Sequence, residues 1–331
     1  MILVTGATGH IGNVLVRQLV ERGECVRALV LPGEDITPLK GLDLEIVAGD
    51  VLDPGSLQRA MRGVFSVYHL AGIISIMPGR NETVHRVNVE GTRNVLRTAA
   101  RTGIRRLVYT SSIHALHRAP HGVTIDEQIP FDPQHAISSY DRSKAEASLL
   151  VQDAACQGLD AVIVCPTGVI GPHDYRGSEM GEMIHLAMKH GFHFLIDGAY
   201  DFVDVRDVAQ GLILAASHGR AGESYILSGE RITISGIFEQ VQKVTGFHNL
   251  RLPVPTPLVR LAAVFAPLYY RLAGSRPTLT PYALETVTSN SVISNAKARR
   301  ELGYTPRSLS ESIQDTVAWL AEYRRRLPTP Q

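Results

Sequence analysis

Short apolar segments alternate with amphipathic segments through the first half of the chain. Several apolar runs are rich in β-branched residues and predict buried strands, at 1–5, 25–31, 44–48, 64–70, 104–110, 161–165 and 224–227. After the first run, Ile11, Leu15 and Leu19 recur at the spacing of one helix face. Strands that alternate with helices form parallel sheets with right-handed crossovers, so the pattern predicts an α/β fold.

The alternation ends after Pro172, where the apolar spacing becomes that of helices. Helices are predicted over 178–190 and 233–245, and Ser308 and Glu311 have capping-box spacing before a last helix. We therefore expect a dinucleotide-binding domain and a smaller, mostly helical C-terminal lobe that binds the substrate. The expected boundaries are 1–167, with 201–228 returning to it, for the domain, and 168–200 with 229–331 for the lobe.

A glycine-rich segment, Gly6-Ala7-Thr8-Gly9-His10-Ile11-Gly12, joins the first predicted strand to the first predicted helix. Its three glycines permit a tight turn, close approach of backbone amides to a pyrophosphate, and tight packing of helix on strand. The phosphate would lie at the helix N-terminus, where free amides and the helix dipole favour an anion. This context predicts a doubly wound parallel Rossmann sheet. Ala71-Gly72, after the fourth run, would let a cofactor lie close to the backbone.

The residue after the second strand usually distinguishes the two nicotinamide cofactors. An acidic side chain there holds the ribose hydroxyl of NAD, and an arginine accommodates the phosphate of NADP. This chain has Leu31 at that position, followed by Glu34 and Asp35, and no Lys or Arg occurs between Ala28 and Leu39. Nearby carboxylates would repel a 2′-phosphate, which favours NAD, although both acids also fit a solvated loop.

Three polar residues near the predicted cofactor edge each have two possible roles. Asp50, next to Val51 after the third run, could accept from the adenine amino group or cap the following helix. For Asp53 the capping role is the better fit. Asn88 lies on an apolar helix face and needs hydrogen-bond partners, which would be either structural groups or an active-site water.

Tyr140 and Lys144 are four residues apart, so in a helix they lie on one face. A nearby ammonium would lower the pKa of a phenol from its usual value of about 10 and make it a usable general acid or base. The fifth predicted strand ends in Ser111-Ser112, which places two hydroxyls at the same sheet edge as the glycine loop. The Tyr-x-x-x-Lys spacing is common on helix surfaces, but together with the loop and the serines it indicates a catalytic site.

The charge balance argues against nucleic acid or an anionic membrane as a partner, since 33 basic and 32 acidic residues leave a net charge of +1. Cys25, Cys156 and Cys165 lack metal-ligand spacing and are interpreted as buried free thiols. The 13 histidines show no tetrahedral metal signature, although His114 could touch a substrate. The N-terminus lacks a signal-peptide pattern, and the apolar segment 258–274 is too short for a membrane span. We expect a cytoplasmic protein that acts on small molecules.

In combination, these motifs resemble those of extended short-chain dehydrogenases/reductases, which include NAD-dependent sugar epimerases and dehydratases. The matching segments are Thr5-Gly6-x-x-Gly9-x-x-Gly12, His69-x-Ala71-Gly72, Asn88-Val89-x-Gly91-Thr92, Thr110-Ser111-Ser112, Tyr140-x-x-Ser143-Lys144 and Phe202-Val203-Asp204-Val205-x-Asp207-Val208-Ala209. The chain is most similar to dihydroflavonol-reductase-like and 3β-hydroxysteroid-dehydrogenase-like members. It departs from dihydroflavonol reductases at Leu31, where they carry an arginine, so their NADP preference is not transferred.

The resemblance implies a role for each motif. Tyr140 would exchange the proton with the substrate. Lys144 would lower the pKa of Tyr140 and bind the nicotinamide ribose. Ser112, rather than Ser111, would hydrogen-bond the reacting oxygen. A homodimer through the helices after Asn88 and around Lys144 is also implied. The expected cofactor contacts are Gly6, Gly9, His10, Ile11, Gly12, Asp50, Val51, Leu70, Ala71, Gly72, Asn88, Thr110, Tyr140, Lys144, Pro166, Gly168 and Val169.

We predict an NAD(P)-dependent oxidoreductase, leaning to NAD, that interconverts an alcohol and a carbonyl on a small or apolar ring substrate. Apolar walls are expected from Ile73, Ile74, Ile76, Met77 and the segment 258–274. A nucleotide-sugar epimerase or dehydratase would use the same catalytic residues but needs cations for a diphosphate, for which Arg176, Arg206, Arg220 and Arg251 are candidates. A catalytically silent NAD(P)-sensing protein is a third hypothesis, although such proteins tend to lose the tyrosine or the lysine.

Overall fold

The computed structural model describes residues 1–75, 79–247, 249–255, 257–259, 261–262, 266 and 280–326. The strands of its central sheet are β1 (Ile2–Thr5), β2 (Val26–Val30), β3 (Glu45–Ala48), β4 (Ser66–His69), β5 (Arg106–Thr110), β6 (Ala161–Pro166) and, later in the chain, β10 (Ser224–Leu227). They are all parallel, in the order β3-β2-β1-β4-β5-β6-β10. Each corresponds to a predicted run, and only the end residues differ.

Alternate residues along the strands face opposite sides of the sheet and enter two cores. Leu3, Leu107 and Ile163 pack in one core, whereas Val4 and Val108 pack in the other. The first core is covered by α2 (Pro54–Ala60), α4 (Gly91–Thr102) and α5 (Ser139–Cys156), and the second by α1 (His10–Glu21), α7 (Val205–His218) and α10 (Ala296–Leu302). A short helix, α3 (Glu82–His85), runs into α4 through a π-helical turn (Arg86–Glu90). Helices on both faces confirm the predicted doubly wound Rossmann sheet.

The remaining elements form a smaller layer beside the carboxyl edge of the sheet. Its helices are α6 (Glu179–Ala187), α8 (Ile234–Thr245), α9 (Pro281–Thr288) and α11 (Leu309–Arg326). The predicted helices are present, and Ser308 caps the last one by accepting from the Glu311 amide at 3.3 Å.

Two small sheets in this layer were not predicted. One contains β7 (Gly168–Ile170), β9 (Ala199–Asp204) and β11 (Glu230–Thr233), and the other pairs β8 (Gly191–Ile196) with β12 (Asn249–Val254). The strands are short, and partners such as β8 and β12 lie far apart in the chain, so no local pattern predicts them.

Two later elements pack with the central sheet and its helices. The strand β10 pairs with β6, and α7 packs against α1.

The cysteines correct one expectation, because only Cys165 is buried and both Cys25 and Cys156 are exposed. Cys25 precedes β2, and Cys156 is the last residue of α5, so neither lies inside a packed element. Among the described residues, no helix combines the length and apolar character needed to cross a membrane. Ile76, Met77 and most of segment 258–274 lie outside the described residues.

Candidate active site

A cleft of about 810 Å³ lies along the carboxyl edge of the central sheet, between the glycine loop and the smaller layer. Most of the predicted cofactor contacts line it, namely Gly6, Gly9, His10, Ile11, Gly12, Leu70, Gly72, Thr110, Tyr140, Lys144, Pro166, Gly168 and Val169. Four predicted contacts, Asp50, Val51, Ala71 and Asn88, are not part of this lining.

The glycine loop has a shape that side chains would disrupt at two of its three glycines. Gly6 has φ +70°, and a Cβ there would lie 2.7 Å from the Ala71 amide nitrogen. A Cβ on Gly12 would lie 2.1 Å from the carbonyl oxygen of Gly6. A Cβ on Gly9 would meet only the Gly6 oxygen at 3.2 Å, so this face is open. The first amides of α1 have no intrahelical acceptors, and the loop therefore fits a dinucleotide pyrophosphate.

The two aspartates after β3 stabilise the local turn. Asp53 is the N-cap of α2 and accepts from the Gly55 amide at 2.8 Å, as predicted. Asp50 accepts from the Leu52 amide at 2.9 Å, which gives its carboxylate a structural partner. The Val51 side chain is buried.

Asn88 connects the end of β4 to the catalytic helix. Its amide group donates to the Ile73 carbonyl at 3.0 Å and to Ser143 Oγ at 2.9 Å, and accepts from the Ile73 amide at 2.7 Å. Protein groups thus supply the partners required by the structural alternative. A Cβ on Gly72 would lie 3.1 Å from Asn88 Oδ1, so this glycine permits the close approach.

The start of α5 places the two catalytic candidates on one face. Ser138 caps the helix by accepting from the Asp141 amide at 3.0 Å, so Tyr140 lies in the first turn and Lys144 one turn later. The Lys144 ammonium donates to the Thr110 carbonyl at 2.7 Å. This bond holds the helix against the end of β5.

The structure distinguishes the two serines after β5. Ser112 Oγ accepts from the His114 amide at 3.2 Å, and the same side chain lies close enough to the Tyr140 phenol to lower the pKa of that phenol. The Ser111 hydroxyl instead lies 2.6 Å from Ser148 Oγ on α5. Ser112 is therefore the hydroxyl beside the phenol, as the sequence resemblance implied.

Burial dominates the electrostatics of this centre. It raises the pKa of Tyr140 to about 12, while the hydrogen bond from Ser112 lowers the pKa and the charge of Asp141 raises it. Burial also lowers the pKa of Lys144 to about 8. The expected lowering of the Tyr140 pKa by Lys144 is thus wrong in this structure, because burial of the phenol raises that pKa and Lys144 is not among the groups that shift it. At neutral pH the phenol is protonated and can act as an acid.

The Lys144→Met variant should be more stable than the wild-type protein at pH 7, by about 1–3 kcal/mol, because it removes a buried charge. The folded-state pKa of about 8 lies below the ordinary value of 10.5. The unfolded chain therefore binds more protons between these values, and this lysine makes wild-type stability rise with pH there. We expect the difference between the proteins to shrink from pH 8 to 10, as measured by urea unfolding.

The exposed Lys243 provides a matched control, since Lys243→Met removes the same charge without relieving burial. It should change the free energy of unfolding by less than about 0.5 kcal/mol at every pH. A Lys144→Met variant that is less stable at pH 7, or whose difference from wild type does not depend on pH, would contradict the expected cost of the buried ammonium.

A group of buried side chains around Tyr140 was not predicted as a group. Tyr200 Oη lies 2.9 Å from Nε2 of His114, and Tyr282 Oη donates to Asp141 at 2.7 Å. Arg118 pairs with the other Asp141 oxygen at 3.4 Å. His114, Tyr200 and Tyr282 line the cleft, and burial lowers the pKa of His114. Of this group the sequence singled out only His114, as a possible substrate contact, because the two tyrosines come from distant elements.

The far wall of the cleft is predominantly apolar. It is formed by Met180, Met183, Leu186, Phe194, Leu195, Ile196, Phe202, Ile234, Phe238, Ala283 and Val287. Among the described residues that line the cleft, none is an arginine.

The arginines considered for a diphosphate have acidic partners elsewhere. Ion pairs join Arg206 to Asp204 and Asp315, Arg220 to Glu301, Arg251 to Glu239 and Arg176 to Glu34. None of these four arginines is among the described residues that line the cleft.

Outside the cleft, the fold brings together two histidines and an aspartate that are distant in sequence. Asp132 lies 2.6 Å from Nδ1 of His117 and 2.7 Å from Nδ1 of His135. Their potential ligand atoms lie within 4.8 Å of one another, a spacing that could hold a metal ion. Both imidazoles are exposed, and the hydrogen bond from His117 lowers the pKa of Asp132.

Comparison with known proteins agrees with this arrangement. The model of the NAD-dependent epimerase/dehydratase family matches residues 2–228. The chain belongs to this family. The matched residues include the glycine loop, Ser112, Tyr140 and Lys144.

Individual relatives match almost the whole length of this family member. Sterol demethylase protein B from Methylococcus capsulatus is 38% identical over 325 residues, which cover 97% of this chain and 98% of that protein. A 3β-hydroxysteroid dehydrogenase/Δ5→4-isomerase from Mycobacterium tuberculosis is 29% identical over 92% of this chain and 86% of its own. The crystal structure of gox2253 has a TM-score of 0.84 and 33% identity, and covers 98% of this chain and 99% of that one.

Proposed function

We propose that this protein is an NAD-dependent oxidoreductase that interconverts an alcohol and a carbonyl on an apolar ring substrate. The observation that carries the proposal is the Ser112–Tyr140 pair at the base of a cleft with an apolar far wall. Family membership supports NAD as the cofactor. We assign catalytic roles to Ser112, Tyr140 and Lys144.

When bound, NAD supplies a hydride acceptor for the alcohol or, reduced, a hydride donor for the carbonyl. Ser112 and Tyr140 hold the reacting oxygen by hydrogen bonds. In oxidation, the alcohol loses hydride from carbon and a proton from oxygen, and Tyr140 takes the proton as its phenolate. In reduction, the protonated Tyr140 returns that proton to the oxygen. Lys144 would hold the ribose of a bound cofactor, and the positive charge of the oxidised nicotinamide would favour the phenolate.

The cleft chemistry supports a ring substrate of sterol size. Its far wall is built from methionine, leucine, isoleucine and phenylalanine side chains, which bind an apolar ring system by burial. The names of the relatives point in the same direction, since one is a sterol demethylase protein and another a hydroxysteroid dehydrogenase. Polar groups at the catalytic end, including Ser112, Tyr140 and His114, would orient a single oxygen.

The test is an assay of the purified protein with NAD⁺ on 3β-hydroxysteroids and with NADH on ring ketones, beside nucleotide sugars. We expect stoichiometric NADH formation with a hydroxysteroid and no conversion of nucleotide sugars. Epimerisation of a sugar nucleotide without net NADH would favour an epimerase instead. Tight NAD binding without turnover on the whole panel would favour a cofactor-sensing protein.

We also propose the cofactor contacts, domain boundaries, homodimer and cytoplasmic location that the sequence predicted. The contacts are supported by the cleft lining at the glycine loop and at Pro166, Gly168 and Val169. The boundaries are supported by the pairing of β10 with β6, except that α10, within the proposed lobe, packs against the central sheet. The dimer rests on the family resemblance alone, and the location on the free cysteines.

A further inference from the structure

The fold brings Glu34, one of the two carboxylates that the sequence placed in the loop after β2, back to the end of that strand. Leu31 occupies the usual selecting position directly after β2, and its side chain is exposed. Three residues later, Glu34 folds back and accepts from the Leu31 backbone amide at 3.2 Å. An acidic group therefore lies at the strand end where dinucleotide-binding domains hold the adenosine ribose.

The partner of this carboxylate comes from a distant part of the chain. Arg176, in the loop between β7 and α6, forms an ion pair with Glu34 and donates to Thr8 Oγ1 of the glycine loop at 2.7 Å. One guanidinium thus connects the strand-two loop to the glycine loop.

The loop that carries Arg176 is fixed against the start of α1. His10 Nε2 lies 3.0 Å from the Pro172 carbonyl, and Asn13 donates to the His173 carbonyl at 3.1 Å. These contacts hold the arginine beside the adenosine end of the cofactor site, although no arginine follows β2 in the sequence.

We propose that the Glu34–Arg176 pair selects between NAD and NADP in this protein. The proposal depends on the glycine loop as the cofactor site but not on the substrate or the reaction. Glu34 accepts from a ribose hydroxyl of NAD and repels a 2′-phosphate. Arg176 is the cation that would bind that phosphate, and Glu34 keeps it paired. Neutralising Glu34 removes the repulsion and the ion pair with Arg176, so that the guanidinium beside the glycine loop can pair with the phosphate instead.

The experiment measures dissociation constants of NAD⁺ and NADP⁺ by calorimetry for the full-length protein. The variants are Glu34→Gln, Arg176→Gln, and both together. Asp35→Asn is the matched control, since it removes one negative charge from the same loop, where Asp35 accepts from the Thr37 amide.

We expect Glu34→Gln to shift the NADP⁺/NAD⁺ affinity ratio toward NADP⁺ by about tenfold or more, the scale of a removed like-charge contact. Asp35→Asn should shift it by less than about threefold. Adding Arg176→Gln to Glu34→Gln should abolish the gain in NADP⁺ affinity.

An unchanged ratio in Glu34→Gln would overturn the proposal, as would a double variant that keeps the gain. Equal shifts of the affinity ratio in Glu34→Gln and Asp35→Asn would mean that only the net charge of the loop matters, and would also overturn the proposal. Failure of the wild-type protein to bind either dinucleotide would instead refute the cofactor site itself. Because binding is measured, absence of steroid turnover would leave this test intact.

Discussion

Tyr140→Phe is expected to reduce kcat by about 10²–10⁴-fold, the usual contribution of a general acid or base. Burial raises the pKa of the phenol to about 12, so at neutral pH it is protonated and is the proposed acid beside the reacting oxygen. Phenylalanine keeps the ring and its packing but removes the only atom that exchanges the proton. The dissociation constant for NAD⁺ should change by less than about threefold, because the glycine loop is untouched.

The measurement combines steady-state turnover of a hydroxysteroid with NAD⁺ titration. Tyr304→Phe is a suitable control, because Tyr304 is also buried and its hydroxyl donates to the Ser228 carbonyl away from the cleft. This control should retain turnover within about threefold of wild type. Wild-type turnover in Tyr140→Phe would refute the catalytic assignment, whatever the substrate proves to be.

Gly12→Ala is expected to destabilise the protein by about 4 kcal/mol or more, or to prevent folding. The added Cβ would lie 2.1 Å from the Gly6 carbonyl oxygen and 2.9 Å from Ala7 Cα. Both are backbone atoms at the junction of β1 and α1, so no side-chain rotation relieves the clash. The helix α1 would have to move away from the sheet, and this movement would distort the glycine loop. Thermal and urea unfolding without cofactor measure this effect.

Gly9→Ala separates the fold from cofactor binding. Its Cβ would meet only the Gly6 oxygen at 3.2 Å, and Gly9 has ordinary extended backbone angles. We expect a stability loss of about 1 kcal/mol or less but at least tenfold weaker NAD⁺ binding, since the methyl group occupies the approach to the pyrophosphate. Equal stabilities of Gly12→Ala and Gly9→Ala would contradict the assigned roles of the two glycines.

The local sequence was sufficient for the motifs whose parts are near one another in the chain. Gly6, Gly9 and Gly12 could be assigned because their spacing encodes a strand-to-helix turn, and Tyr140 and Lys144 because four residues span one helical turn. The residue pattern did not separate Ser111 from Ser112, whereas the family resemblance favoured Ser112. In the structure, the Ser111 hydroxyl lies beside Ser148, and Ser112 lowers the pKa of Tyr140.

Electrostatic environment was less predictable than position. An ammonium near a phenol implied a lowered pKa, but the degree of burial decides the balance, and it depends on elements far along the chain. Tyr282 illustrates this, since its helix contributes to the cleft and its hydroxyl binds Asp141 beside the catalytic tyrosine. The direction of the Tyr140 pKa was therefore decided by packing rather than by the neighbouring lysine.

The sequence by itself predicted the alternating sheet, the glycine loop and the proposed catalytic pair of Tyr140 and Lys144, because each depends on contacts within one or two turns or on hydrophobic periodicity. The tertiary structure decided which serine faces the phenol, how buried charges are tuned, and that Glu34 meets Arg176 from 142 residues away. Those features depend on side chains that long-range packing brings into contact. The spacing of residues along the chain does not predict such contacts.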